Sequence, residues 1–184
     1  MDTNIIRQIW AIDPVHSRIR FEAKYLLISA ISGWFTDFEG TVTCDGESFV
    51  GSEVRLAIYT NSVNTGNEER DGHLRSADFL DARQFPVIGF HSLDVLQVSE
   101  GQLKIDGLLS IREKQLPLEL KAKYLGSSPD PMGNTKAGFS LEAAFSRKEF
   151  GIDWNQSVGL AGWLISDEIR LYVDIQLLRL TQPA

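Results

Sequence analysis

The chain contains a single cysteine, Cys44, among 184 residues. It can therefore form no internal disulfide, and a paired-cysteine metal knuckle is excluded. Positive charge is also scarce: 18 Lys and Arg stand against 25 Asp and Glu, giving a net charge of −7 and a pI near 5.0. That balance argues against nucleic acid, which needs basic patches to displace its counterions. It argues equally against electrostatic docking on an anionic membrane. No segment reaches the roughly 18 consecutive apolar residues of a membrane-spanning helix. The opening MDTNIIRQIW has no basic leader and no continuous apolar run. With no secretory signal, a cytoplasmic protein is expected. Low-complexity tracts, internal repeats and linker-like breaks are absent too, so a single domain over residues 1–184 is expected.

Signatures of catalysis are missing as well. There is no Gly-x-Ser-x-Gly elbow, no Gly-rich phosphate loop leading into a helix, and no His-Glu-x-x-His. His16, His73 and His91 have no second ligand at the spacing a metal site uses, so neither a metal nor a cofactor is expected. His16 is expected to hydrogen-bond a turn with Asp13 or Ser17. Ser17 cannot form a dyad with His16, because strand neighbours face opposite ways. Cys44, beside an Asp-Gly turn, is expected to be a plain surface thiol. Glu149 and Asp153 read as a solvated turn, with Arg147 pairing one of them.

What the chain does have is alternation with period two. In RIRFEAKY, Ile19, Phe21, Ala23 and Tyr25 share one face while Arg18, Arg20, Glu22 and Lys24 share the other. That is the pattern of a half-buried strand. It recurs over 31–44, 53–63, 87–98, 102–112, 116–124, 137–147 and 169–177. Eight short strands joined by turn signals predict antiparallel neighbours, and eight strands close a barrel around side chains or one small ligand.

One stretch breaks the rhythm. RDGHLRSADFLDARQFP, Arg70 to Pro86, gathers charge and spaces Leu74, Phe79 and Leu80 unevenly. A loop with a short helix is expected over about 67–83, with Ser76 capping its second part. A crossover of that length is functional or covers a barrel end.

Taken in order, IDPVHSRIRF, GWFTDFEG, NSVNT, RDGHLRSADFLDARQFPVIGFHS, IDGLLSI and FSRKEFGID resemble the YceI-like family of lipid-binding proteins. The resemblance runs from about Trp10 to Leu177, and the Arg-Asp-x-His-Leu-Arg-Ser-x-Asp-Phe segment is its most specific part. It implies a lipocalin-like antiparallel β-barrel whose long apolar pocket takes a polyisoprenoid or similar long-chain amphiphile. Many relatives are exported; this chain departs from them in its opening segment. It departs again after Ile111, where REKQLP replaces a Gly-Thr-type turn.

A prenyl tail needs a dry tunnel. The inward positions expected to line it are Phe21, Phe35, Leu56, Ile58, Phe90, Leu109, Phe139, Leu141 and Phe145, although the same residues would also serve as ordinary barrel filling. Arg70, His73 and Arg75 are the candidate head-group contacts, unless Asp71, Asp78 and Asp81 pair them to fix the crossover. Trp163 and Leu164 are candidates for dipping into a membrane surface, although tucked core positions are the stronger expectation for both. The expected function is a non-catalytic carrier of an isoprenoid or fatty lipid, acting without nucleic acid or integral membrane association, with a homodimer plausible. Two rivals stand beside it: an enzyme acting on such a lipid with His73 as acid or base, and an interaction protein with a filled barrel.

Overall fold

The computed structural model describes residues 7–26, 28–159 and 164–180. Along the chain run β1 (Arg7–Ile12), β2 (Arg18–Tyr25), β3 (Ser29–Phe35), β4 (Phe38–Asp45), β5 (Glu53–Tyr59), β6 (Val63–Asn64), the helix α1 (Glu68–Arg75), β7 (Val87–Ser99), β8 (Gln102–Ile111), β9 (Lys114–Pro129), β10 (Thr135–Ser146) and β11 (Ile165–Leu180). Short 3₁₀ turns cover Thr60–Ser62 and Arg147–Phe150.

The eleven strands make eight staves, because three pairs of consecutive strands are each one interrupted stave. β11 pairs with β1 at Ile12↔Leu177 and with β2 at Arg18↔Asp174. β3 and β4 follow suit, at Ile19↔Phe35 against β2 and Trp10↔Val42 against β1. β5 and β6 repeat the pattern against β4 and β3. Every neighbour is antiparallel, and β1 against β11 closes the ring. The result is a closed eight-stranded antiparallel barrel with one short helix in its longest crossover, as the alternation and the family resemblance predict. β1 was not among the expected strands; its burial of Trp10 is the signal that extends the first stave toward the N-terminus.

The break in the first stave has a sequence cause. Pro14 has no N–H to give to a ladder. The ladder pauses there, and side chains supply what the backbone cannot. Asp13 Oδ1 accepts the Val15 N–H at 3.1 Å, Asp13 Oδ2 accepts Lys136 Nζ at 2.6 Å, and His16 Nδ1 lies 2.9 Å from Asp13 Oδ2. Ser17 Oγ accepts the Gln176 N–H at 2.9 Å and restores the ladder to β11. The ammonium of Lys136 holds the Asp13 carboxyl down to a pKa of about 2 from 3.8, with His16 and the Val15 N–H adding to this against the cost of burial.

A depressed carboxyl pKa contributes stability above its ordinary value and loses it as pH falls through the folded-state value. Asp13 therefore stabilises the barrel fully above about pH 3.8 and loses that contribution toward about pH 2. Allowing for solvent screening, the term amounts to about 1–2 kcal/mol. Asp13→Asn should lower stability by about that much at neutral pH and by almost nothing near pH 2. Urea unfolding at the two pH values measures the difference; an equal loss at both would show that the carboxylate's charge is not what holds the break.

β8 shows how the inside is built. Leu103, Ile105, Leu109 and Ile111 alternate inward and are buried, and Lys104, Asp106, Leu108 and Ser110 face out. Gly107 falls on the inner row because the Phe90 ring and the His91 carbonyl occupy the space a Cβ would need. Gly33 gives way to the Phe21 ring in the same manner. The β8–β9 connection has just two residues, with Arg112 at φ +55° where the family resemblance implies a Gly-Thr-type turn. Cys44 is buried, not at the surface, because it takes an inner-row position of β4 beside Trp10. Its Sγ donates to the Gly46 carbonyl at 3.6 Å, and burial raises its thiol pKa.

Candidate functional site

Inside the ring lies a cavity of about 240 Å³ lined by apolar side chains, with Ser52 and Arg147 the two polar residues on its wall. A water needs roughly 10–15 Å³ of comparable space and two or more polar partners. The cavity is therefore large, and it is inhospitable to water. All nine positions expected to face inward are on this wall: Phe21, Phe35, Leu56, Ile58, Phe90, Leu109, Phe139, Leu141 and Phe145. Phe35, Ile58, Phe90, Leu109 and Phe139 are buried, and the other four are half-buried. Along β11 the wall runs from Ile165 to Leu177. At about 3.3 Å per residue and a tilt of about 40°, that stretch spans roughly 30 Å of barrel axis.

The two ends differ. At the end holding the β4–β5 turn, Phe49 reaches the cavity from residues 46–52. It packs edge-on to Phe139 at 4.9 Å and beside Trp10 at 5.4 Å and Tyr124 at 5.7 Å. At the opposite end, the 65–86 crossover lays Phe79 and Leu80 over the lumen.

The charged crossover is built to hold its own shape. Asn67 caps α1, accepting the Arg70 N–H at 2.9 Å. Buried Asp71 accepts from both the backbone and the hydroxyl of Thr65, at 2.8 and 2.5 Å. Ser76 is the C-cap of α1, and its hydroxyl then accepts the Asp78 N–H, so it serves both sides of the turn.

The three candidate head-group residues all lie here, and none is on the cavity wall. Arg70 donates from Nε to Thr65 Oγ1 at 2.8 Å and from Nη2 to the Thr65 carbonyl at 3.0 Å. Arg75 donates to Glu68 at 2.8 Å. His73 Nε2 meets Asp78 Oδ2 at 2.8 Å, and its ring stands edge-on to Phe79 and to Trp154, at 5.0 and 4.6 Å. Phe79 and Trp154 are themselves 5.3 Å apart. This aromatic cluster ties the crossover to the segment after β10.

Arg147, like Cys44, sits elsewhere than its local sequence suggests. It was expected to pair with Glu149 or Asp153 in a solvated turn. It is instead buried, and it forms part of the cavity wall. Its Nη1 donates to the carbonyls of Ile152 and Trp154, each at 2.8 Å, and its Nε donates to the Ser166 carbonyl at 3.0 Å. Nη2 lies 3.4 Å from Asp167. Burial lowers the guanidinium's pKa, and Asp167 and Asp153 oppose that shift. Spacing could have found this residue: 141, 143, 145 and 147 continue one inner row. Of the pair expected to meet a membrane surface, Trp163 lies outside the described residues, while Leu164 is half-buried, and its carbonyl accepts the Leu26 N–H at 2.9 Å. Among the described residues, no helix is long and apolar enough to cross a membrane.

Comparison with known proteins gives a consistent picture. The YceI-like domain family matches residues 10–177. Protein YceI of Salmonella newport is 36% identical over 161 residues, covering 88% of this chain and 81% of the relative. Among solved structures, Burkholderia cenocepacia BcnA aligns with a TM-score of 0.78 at 16% identity, over 90% of this chain and 98% of that one. A polyisoprenoid binding domain from Saccharophagus degradans aligns with a TM-score of 0.67 at 14% identity, over 92% and 97% of the two chains.

Proposed function

The chain belongs to the YceI-like family, and from that premise we propose that it is a non-catalytic carrier for a long apolar chain of the polyisoprenoid or fatty type, with the tail held along the barrel axis. The observation that supports this most strongly is the cavity: it is about 240 Å³, and all its lining residues but Ser52 and Arg147 are apolar. The solved neighbour described as a polyisoprenoid binding domain has the same architecture. Each methylene moved from water into such a lumen gains about 0.8 kcal/mol, part of it offset by ordering the chain. A tail thus binds with no help from charge.

In this reading Phe21, Phe35, Leu56, Ile58, Phe90, Leu109, Phe139, Leu141 and Phe145 contact the tail. The guanidinium of Arg147 is held by three carbonyls and Asp167, which marks it as a structural residue of the wall. Arg70, His73 and Arg75 act as struts of the crossover, since each is off the cavity wall and bonded within the crossover, to Thr65, Asp78 and Glu68 respectively. An acid–base role for His73 finds no support, because the ring faces Asp78, Phe79 and Trp154 and not the lumen.

Native mass spectrometry of freshly purified protein is the test. A co-purified apolar mass should appear, disappear after organic extraction, and return on incubation with a long-chain prenol. Protein that emerges ligand-free and takes up no prenol would leave only the filled-barrel reading.

A further inference from the structure

Building on the carrier reading, we infer that Phe49 is the floor of the cavity and sets the longest tail the barrel admits. Ser52 aside, the other wall positions considered above sit on staves, where register fixes them, on the crossover at the opposite end, or, for Arg147, on the 3₁₀ turn after β10. Phe49 comes from a connection, residues 46–52, at the end away from the crossover. It is the one aromatic residue of that connection, and its ring is turned into the lumen while its apolar neighbour Val50 is exposed.

The floor is rigid. Phe49 is wedged against Trp10, Tyr124 and Phe139. Its carbonyl accepts Ser52 Oγ at 2.7 Å, and the Gly51 N–H donates to the Val95 carbonyl at 2.8 Å. Ser92 closes the arrangement: its hydroxyl donates to the Ser52 carbonyl at 3.2 Å and accepts the Val54 N–H at 2.8 Å. Gly51 takes φ +73°, a conformation that suits glycine and sets the sharp return into β5. A connection pinned at this many points acts as a hard stop. A tail that reaches the ring gains nothing from further methylenes, because they have no apolar volume left to enter.

The prediction is a break in a length series. With straight-chain primary alcohols of increasing length, affinity for the wild-type protein should rise about fourfold per methylene and then level off abruptly. Phe49→Ala should move the break to longer alcohols, and Phe49→Trp to shorter ones. Phe49→Leu, a milder truncation, carries the same expectation as Phe49→Ala should the alanine variant fail to fold. A break that stays in place in the variants, or a wild-type series with no break, overturns the assignment of Phe49 and leaves the carrier reading standing. A wild-type protein that binds no alcohol of any length overturns both.

Discussion

Leu141→Trp and Leu109→Trp should each abolish uptake of a long apolar chain while the barrel stays folded. Leu141 lies midway along β10, opposite Ala122 and Val173, and Leu109 lies near the crossover end of β8, opposite Phe90 and Leu116. Both are on the cavity wall, so an indole at either place projects into the lumen, though at different heights. Overpacking a tight core costs about 1–3 kcal/mol, but here a cavity of about 240 Å³ takes the added volume. Denying a tail as few as about four methylenes of depth forfeits about 3 kcal/mol, which weakens binding by about 200-fold. Titration with a long-chain prenol gives the affinity, and far-ultraviolet circular dichroism reports the fold. Unchanged affinity in both variants would mean that the tail lies somewhere else.

The second large effect concerns Arg147. A buried ion pair replaced on both sides by apolar groups is often neutral, whereas removing one partner leaves the other stranded. Arg147 is of the second kind, because its main acceptors are the backbone carbonyls of Ile152, Trp154 and Ser166, which no side-chain substitution can remove. Arg147→Met keeps the length of the side chain and discards every donor. The expected cost is about 3–5 kcal/mol. For a domain of this size that lowers the melting temperature by roughly 10 °C. Arg147→Lys should recover only part of the loss, since one ammonium cannot reproduce a planar fork spread over three carbonyls. Calorimetry decides: a methionine variant that melts within about 2 °C of wild type would show that the fork is dispensable.

The barrel was legible in the sequence because its staves are half-buried. Inner and outer residues alternate cleanly on β2, β8 and β10, and the inner rows lead directly to the nine wall positions. Where the pattern is interrupted, local reading lost the thread. β1 was missed because Pro14 separates it from the clear alternation of β2, and its partners on β4 and β11 are distant in sequence. Cys44 was misjudged from the turn beside it, when its row on β4 places it inside. Arg147 was read by its charge, although its spacing from Phe145 points inward; a guanidinium survives there only because tertiary contacts bring three carbonyls to it. The crossover's cations were legible as a cluster. Their partners were legible only in part, because pairing depends on how α1 and the following turn fold back on Thr65 and Asp78.

If the barrel interior receives an apolar tail, the tail should be visible there. Crystals grown from protein incubated with a long-chain prenol test this directly. Continuous electron density should run down the barrel axis, passing Leu109 and Leu141 and stopping at the Phe49 ring. An interior without such density, with Phe21, Leu56, Leu141 and Phe145 folded inward to fill the space, would contradict that placement of the tail.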